Sequence, residues 1–233
     1  SFMAFPLGNA FYFQGLTLLV GGMIGPASVV TFNTTRTMTR LIVQGNMILK
    51  HSTWPEFSYL VGARELPKAR RLNALAFEVT WVSTLLIAGC LLITGPSIMS
   101  IWTRHEVVLG RLLLAIFLGG AVLNGLWNVC SGLLMGANQH SGLAAWYLGA
   151  TAISVMLAWL LLPVCGLNGI GLAMLFCECT ILPFVLVRSC QLLEHPLCDF
   201  LDEVMRLHEL RLLVATRFGW KTKYRSPDSD MMS

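Results

Sequence analysis

Two arginines carry the most pointed chemistry in this chain. Arg36 and Arg40 lie in the run Asn33-Thr34-Thr35-Arg36-Thr37-Met38-Thr39-Arg40, within an otherwise apolar stretch. Residues four apart share a helix face, so the two guanidinium groups point the same way, and Asn33 and Thr37 follow the same stripe. No acidic residue stands nearby in the sequence to neutralise them. A planar guanidinium fork can bond two oxygens of one phosphate. The pattern predicts a cationic stripe lining a water-filled cavity, ready for an anion such as a phosphate. The plainer alternatives are snorkelling of the side chains to an interface or pairing with a distant carboxylate.

Two acidic residues interrupt other apolar stretches. Glu78 is expected within reach of Arg40, for structural pairing or for coupling to a proton or cation. Glu178 falls mid-way along its segment, where a protonated, hydrogen-bonded carboxyl or a coupling or gating carboxylate would be the reason to keep it. Asn124 and Asn128 share a helix face. They are expected either to bond neighbouring helices, as Asn9 and Gln14 would, or to line the same cavity as the arginines. Cys177 and Cys179 flank Glu178 but lack the further ligands of a metal site. His51, His105, His140, His195 and His208 read as loop, turn or tail residues. No zinc-protease motif, serine triad or phosphate loop occurs. The chain is therefore expected to be no enzyme, to hold no metal or cofactor, and to have no nucleic-acid partner.

The elements that must hold these residues are spans of a membrane. Leu112 to Cys177 is a run of 66 residues without Asp, Glu, Lys or Arg, and Ser1–Thr35 and Val79–Thr103 are also free of charge. A soluble domain would leave too much apolar surface in water, whereas a spanning helix needs about 20 such residues. The chain is 55% hydrophobic and 12% charged, where soluble domains carry about 25% charged residues. Hydropathy and turn residues predict six spans, at 4–24, 27–49, 73–95, 107–135, 142–163 and 167–187. Gly25-Pro26, Gly95-Pro96 and Pro163 are expected to close the first, third and fifth. A charged segment, Lys50–Arg71, would separate the second from the third.

Lysines and arginines fall mainly on the side of that segment and of the tail, with Arg104 and Arg111 opposite, so both termini are expected in the cytoplasm. Residues 1–190 form the transmembrane part and 191–233 the tail, which holds 13 of the 28 charged residues. In the tail Leu197, Phe200, Leu201, Val204, Leu207, Leu210 and Val214 recur at helical spacing. This predicts an amphipathic helix on the membrane or the bundle. Trp220, Lys221, Lys223 and Arg225 would suit the headgroup zone, and 226–233 reads as disordered. The opening Ser-Phe-Met-Ala, without an initiator Met, reads as a piece of a longer polypeptide.

The stretch from Phe5 to Arg71 resembles the second half of Wzx-type polysaccharide flippases, in the multidrug/oligosaccharidyl-lipid/polysaccharide exporter superfamily. Gly21, Gly25-Pro26, Arg36-Thr37 with Thr39-Arg40, Trp54-Pro55-Glu56, Gly62-Ala63-Arg64 and the basic run Lys68–Arg71 carry the likeness; the opening of the sixth span, Cys165 to Met174, adds to it. The resemblance implies an all-α integral membrane fold in which six helices form one lobe of a two-lobe exporter, rocking to expose a central cavity to each side. It implies undecaprenyl-diphosphate-linked oligosaccharide as substrate, the cytoplasmic (inner) membrane as location, and Arg36 and Arg40 as cavity-lining contacts. A missing N-terminal lobe or a second copy would supply the opposite wall. The rival expectations are a multidrug/cation antiporter of the same superfamily, which two arginines disfavour; a membrane enzyme acting on lipid-linked sugars, for which the loop at 96–106 is too small; and a remnant of a truncated gene.

Overall fold

The structure, a computed structural model, describes residues 4–107, 109–139 and 141–205. Among these it is all-helical: α1 (Ala4–Met23), α2 (Pro26–Gly62), α3 (Leu66–Trp102), α4 (Arg111–Gly136), α5 (Ser141–Cys165), α6 (Leu167–Leu192) and α7 (Leu197–Met205). Four of them, α3 to α6, are long and apolar enough to cross a membrane, as in a membrane protein. Their outward faces agree. Ile93 of α3 is 80% exposed and Val164 of α5 is 83% exposed, which suits hydrocarbon rather than water. α2 is the poorest of the long helices in apolar residues, because of its Asn-Thr-Arg run; α1 is apolar but carries Asn9 and Gln14.

α4 is the central helix, packed against α2, α3 and α6. α5 lies between α6 and α1, and α1 closes onto α2. Small residues let α4 approach α2 closely. A Cβ on Gly136 would meet the Ser58 backbone nitrogen at 3.0 Å, and one on Gly125 would run into the Asn46 side chain. α7 folds back on α3 through buried Phe200, whose ring meets Phe77 edge-on at 5.5 Å. The Arg70 guanidinium ties the same corner, donating to the carbonyls of Leu193 (2.8 Å) and Glu194 (3.0 Å) at the end of α6. The rest of the tail, including Leu207, Leu210, Val214, Trp220, Lys221, Lys223 and Arg225, lies outside the described residues.

Several expected boundaries are corrected. The charged segment 50–71 is helical except for Ala63–Glu65, because Thr53, Phe57 and Leu60 continue the buried stripe of Ile42, Asn46 and Lys50. Phe57 and Leu60 pack with Ala69, Leu133 and Leu193 in a second apolar cluster. That packing offsets Pro55, which stands inside α2 at a cost of about 3 kcal/mol. His51 is likewise in α2, not in a loop. Gly95-Pro96 does not close α3: Gly95 is buried, a Cβ there would lie 2.8 Å from Leu114, and the helix runs on to Trp102. α5 similarly continues past Pro163 to Cys165, and α6 ends at Leu192, beyond the expected 187.

The actual helix ends use a different device. Arg64, Arg104, Asn138 and Glu194 adopt positive φ, between 51° and 58°. After each, the next N–H reaches back five residues: Glu65 to Leu60, His105 to Ser100, Gln139 to Leu134 and His195 to Cys190. This satisfies carbonyls at the end of α2, α3, α4 and α6 in turn, the usual task of a glycine in that conformation.

Candidate functional site

α2 sets out two opposed stripes. Its buried stripe, Phe32, Thr35, Thr39, Ile42, Asn46, Lys50, Thr53 and Phe57, packs on the bundle. On the helical wheel, Asn33, Thr37, Arg40, Gln44, Met47 and His51 fall nearly opposite. Of these Asn33 is half-buried and the other five are exposed. Five of the six are polar, over about 27 Å of helix axis, close to the roughly 30 Å of a hydrocarbon core. Gln44 was not singled out by sequence reasoning and His51 was read as a loop, turn or tail residue, although their spacing from Arg40 places them on its face.

The two arginines differ in setting. Arg40 is exposed, whereas Arg36 is half-buried and turned toward α1. Its guanidinium carbon lies 4.7 Å from the Phe13 ring centre and 5.7 Å from that of Phe32, within cation–π range. Its Nη1 is buried without a hydrogen-bond partner. The Thr37 hydroxyl donates to its own helix at the Asn33 carbonyl, 2.8 Å away. Thr34, Thr35 and Thr39 bond back in the same manner. With the hydroxyl hydrogen committed, Thr37 is left to accept rather than donate. On this stretch the donors suited to an anion are the guanidinium groups, and Thr37 suits a donor such as a sugar hydroxyl.

The remaining expected residues lie elsewhere. Glu178 of α6 accepts hydrogen bonds from the Asn124 amide (3.1 Å) and the Trp127 indole N–H of α4. The Trp127 ring stands 6.2 Å from Tyr147 of α5, whose hydroxyl donates to Asn9 of α1 at 3.2 Å. Close by in the bundle, Ser154 donates to the Ala173 carbonyl (2.7 Å), so its oxygen takes the hydrogen of Tyr12 (2.9 Å). Asn128, one turn after Asn124, accepts instead from Lys50 of α2 at 2.9 Å. Neither asparagine amide is joined to the arginines; the central position of α4 directs both into contacts within the bundle. Glu78 is fully buried in α3. Trp127, Tyr147, Lys50 and Phe13 are the partners that sequence reasoning missed, because only long-range packing brings them to their sites.

No protein-family model, curated protein or solved structure matches the chain.

Proposed function

We propose that this chain is the C-terminal lobe of a polysaccharide flippase, six spans with α1 and α2 included, which carries an undecaprenyl-diphosphate-linked oligosaccharide across the cytoplasmic membrane by alternating access. One observation carries the reading: the polar stripe from Asn33 to His51, with Arg40 exposed on it, faces away from the bundle along nearly the depth of a bilayer. Such a face is untenable against acyl chains. It suits a wet cavity whose other wall is a second lobe, from the same polypeptide or from another copy. The diphosphate would sit at Arg36 and Arg40, and sugar hydroxyls at Thr37 and Asn33. Asn124 and Asn128 serve this reading from inside the bundle, as supports. Glu178 and Glu78 are the carboxylates available for ion coupling. Lysine and arginine crowd the side of the α2–α3 turn and the α6 end, which supports cytoplasmic termini.

The test is glycan export in cells whose full-length protein carries Arg36→Ala and Arg40→Ala together. The reading expects surface polysaccharide to be lost while the protein still inserts. Normal export by the double variant ends the proposal. A cation antiporter draws support from Glu178 alone, which lies inside the bundle and not on the exposed stripe. Dye efflux that depends on Glu178 and is indifferent to both arginines would favour it.

A further inference from the structure

We infer that Phe13 of α1 is a positioning residue for the anion site, holding the Arg36 guanidinium between α1 and α2 so that the substrate meets one held cation and one exposed cation. The inference rests on the flippase reading and names how its binding site is organised.

Three sets of contacts carry it. First, Arg36 is bracketed by two rings, Phe13 from α1 and Phe32 from its own helix, at 4.7 and 5.7 Å. Second, each ring is itself held. Phe13 leans on Tyr12 (5.2 Å between centres), and Tyr12 is bonded to Ser154 of α5. Phe32 meets Phe117 of α4 edge-on at 5.9 Å. The guanidinium is thus referred, through rigid aromatic groups, to three other elements of the bundle. Third, the guanidinium keeps an unmatched donor: Nη1 is buried with no hydrogen-bond partner. A guanidinium has only donors, so the unmatched one is suited to an anionic oxygen.

Arg40, a single turn further on and exposed, lies within about 5–6 Å at the Cβ level. An anion with two charged groups, such as a diphosphate ester, can engage the held fork with one and the exposed fork with the other. A lysine at 36 would keep the charge but lose the planar two-donor fork.

The test uses the full-length protein in lipid nanodiscs with inorganic diphosphate as probe, binding followed by calorimetry at constant ionic strength. Progressively fluorinated phenylalanines at position 13 drain the ring's negative face without changing its shape. Affinity is expected to fall stepwise along the series, by about tenfold at full fluorination. Arg36→Lys should lose a similar factor, and Phe13→Tyr should stay within about twofold of the parent. Flat affinity across the fluorinated series, with binding still abolished by Arg36→Ala, overturns the positioning role and leaves the anion site standing. No diphosphate binding, or binding untouched by Arg36→Ala plus Arg40→Ala, overturns both.

Discussion

Trp127 of α4 and Glu178 of α6 are joined by a hydrogen bond from indole N–H to carboxylate, inside the bundle. The carboxylate also takes the Asn124 amide, so two donors of α4 depend on one acidic side chain. Glu178→Ala should strand both donors, at about 1–3 kcal/mol each. Glu178→Gln keeps an acceptor for the indole. Its amide would meet Asn124 with the wrong sign, but Asn124 Oδ1 is buried without a partner and a turn of that amide supplies an acceptor. Gln should therefore remain within about 1 kcal/mol of the parent. Equilibrium unfolding in micelles compares them, and equal stability of the Ala and Gln variants would contradict the assignment.

Two glycines should respond oppositely to alanine. A Cβ on Gly169 would stand 2.6 Å from the Leu161 carbonyl oxygen; α5 and α6 must then part, at about 1–3 kcal/mol. A Cβ on Gly120 meets nothing within 4 Å, and alanine there should be neutral or gain up to about 1 kcal/mol from helix propensity. Thermal unfolding of the two variants side by side decides it, and a loss at Gly120 equal to that at Gly169 would refute the packing described for α6.

Accessibility along α2 should follow the two stripes. In a background without the seven native cysteines, a cysteine at 37, 40 or 44 of the full-length protein should react with a charged thiol reagent. One at 35, 39 or 42 should not, since those positions are buried. Uniform protection at 37, 40 and 44 would show that no water reaches the exposed stripe.

Arg70→Ala removes the two bonds to the end of α6 and should cost roughly 1–2 kcal/mol there. The effect should be local: faster hydrogen exchange from Leu193 through α7, with α5 unchanged. Unaltered exchange across residues 193–205 would mean that α7 is held by Phe200 alone.

Much of this helical framework can be read from the chain. Long charge-free runs announce apolar helices, but not that Gly132 and Gly136 of α4 pack on α2. Boundaries are less legible where packing overrides punctuation. Gly95-Pro96 reads as a stop, but Gly95 is spent on a close approach to Leu114. The real ends fall on Arg64, Arg104, Asn138 and Glu194, mostly residue types with no strong turn signal, held in place by backbone bonds. At the candidate site, spacing alone puts Arg36 and Arg40 on one side of α2. It does not show that Phe13 draws Arg36 toward α1 while Arg40 stays open, nor that Asn124 and Asn128 diverge toward Glu178 and Lys50. Those outcomes depend on which helix lies next to which.

The bonds from Tyr12 to Ser154, from Tyr147 to Asn9 and from α4 to Glu178 lace α1, α4, α5 and α6 across the middle of the bundle. Sliding α1 along α5, or α4 along α6, would break one of these contacts, at the cost of an unpaired polar group. The bundle should thus pivot as a block, and under the proposed transport role a substrate passing Arg40 would be moved by the tilt of the whole assembly instead of by slippage between its rods.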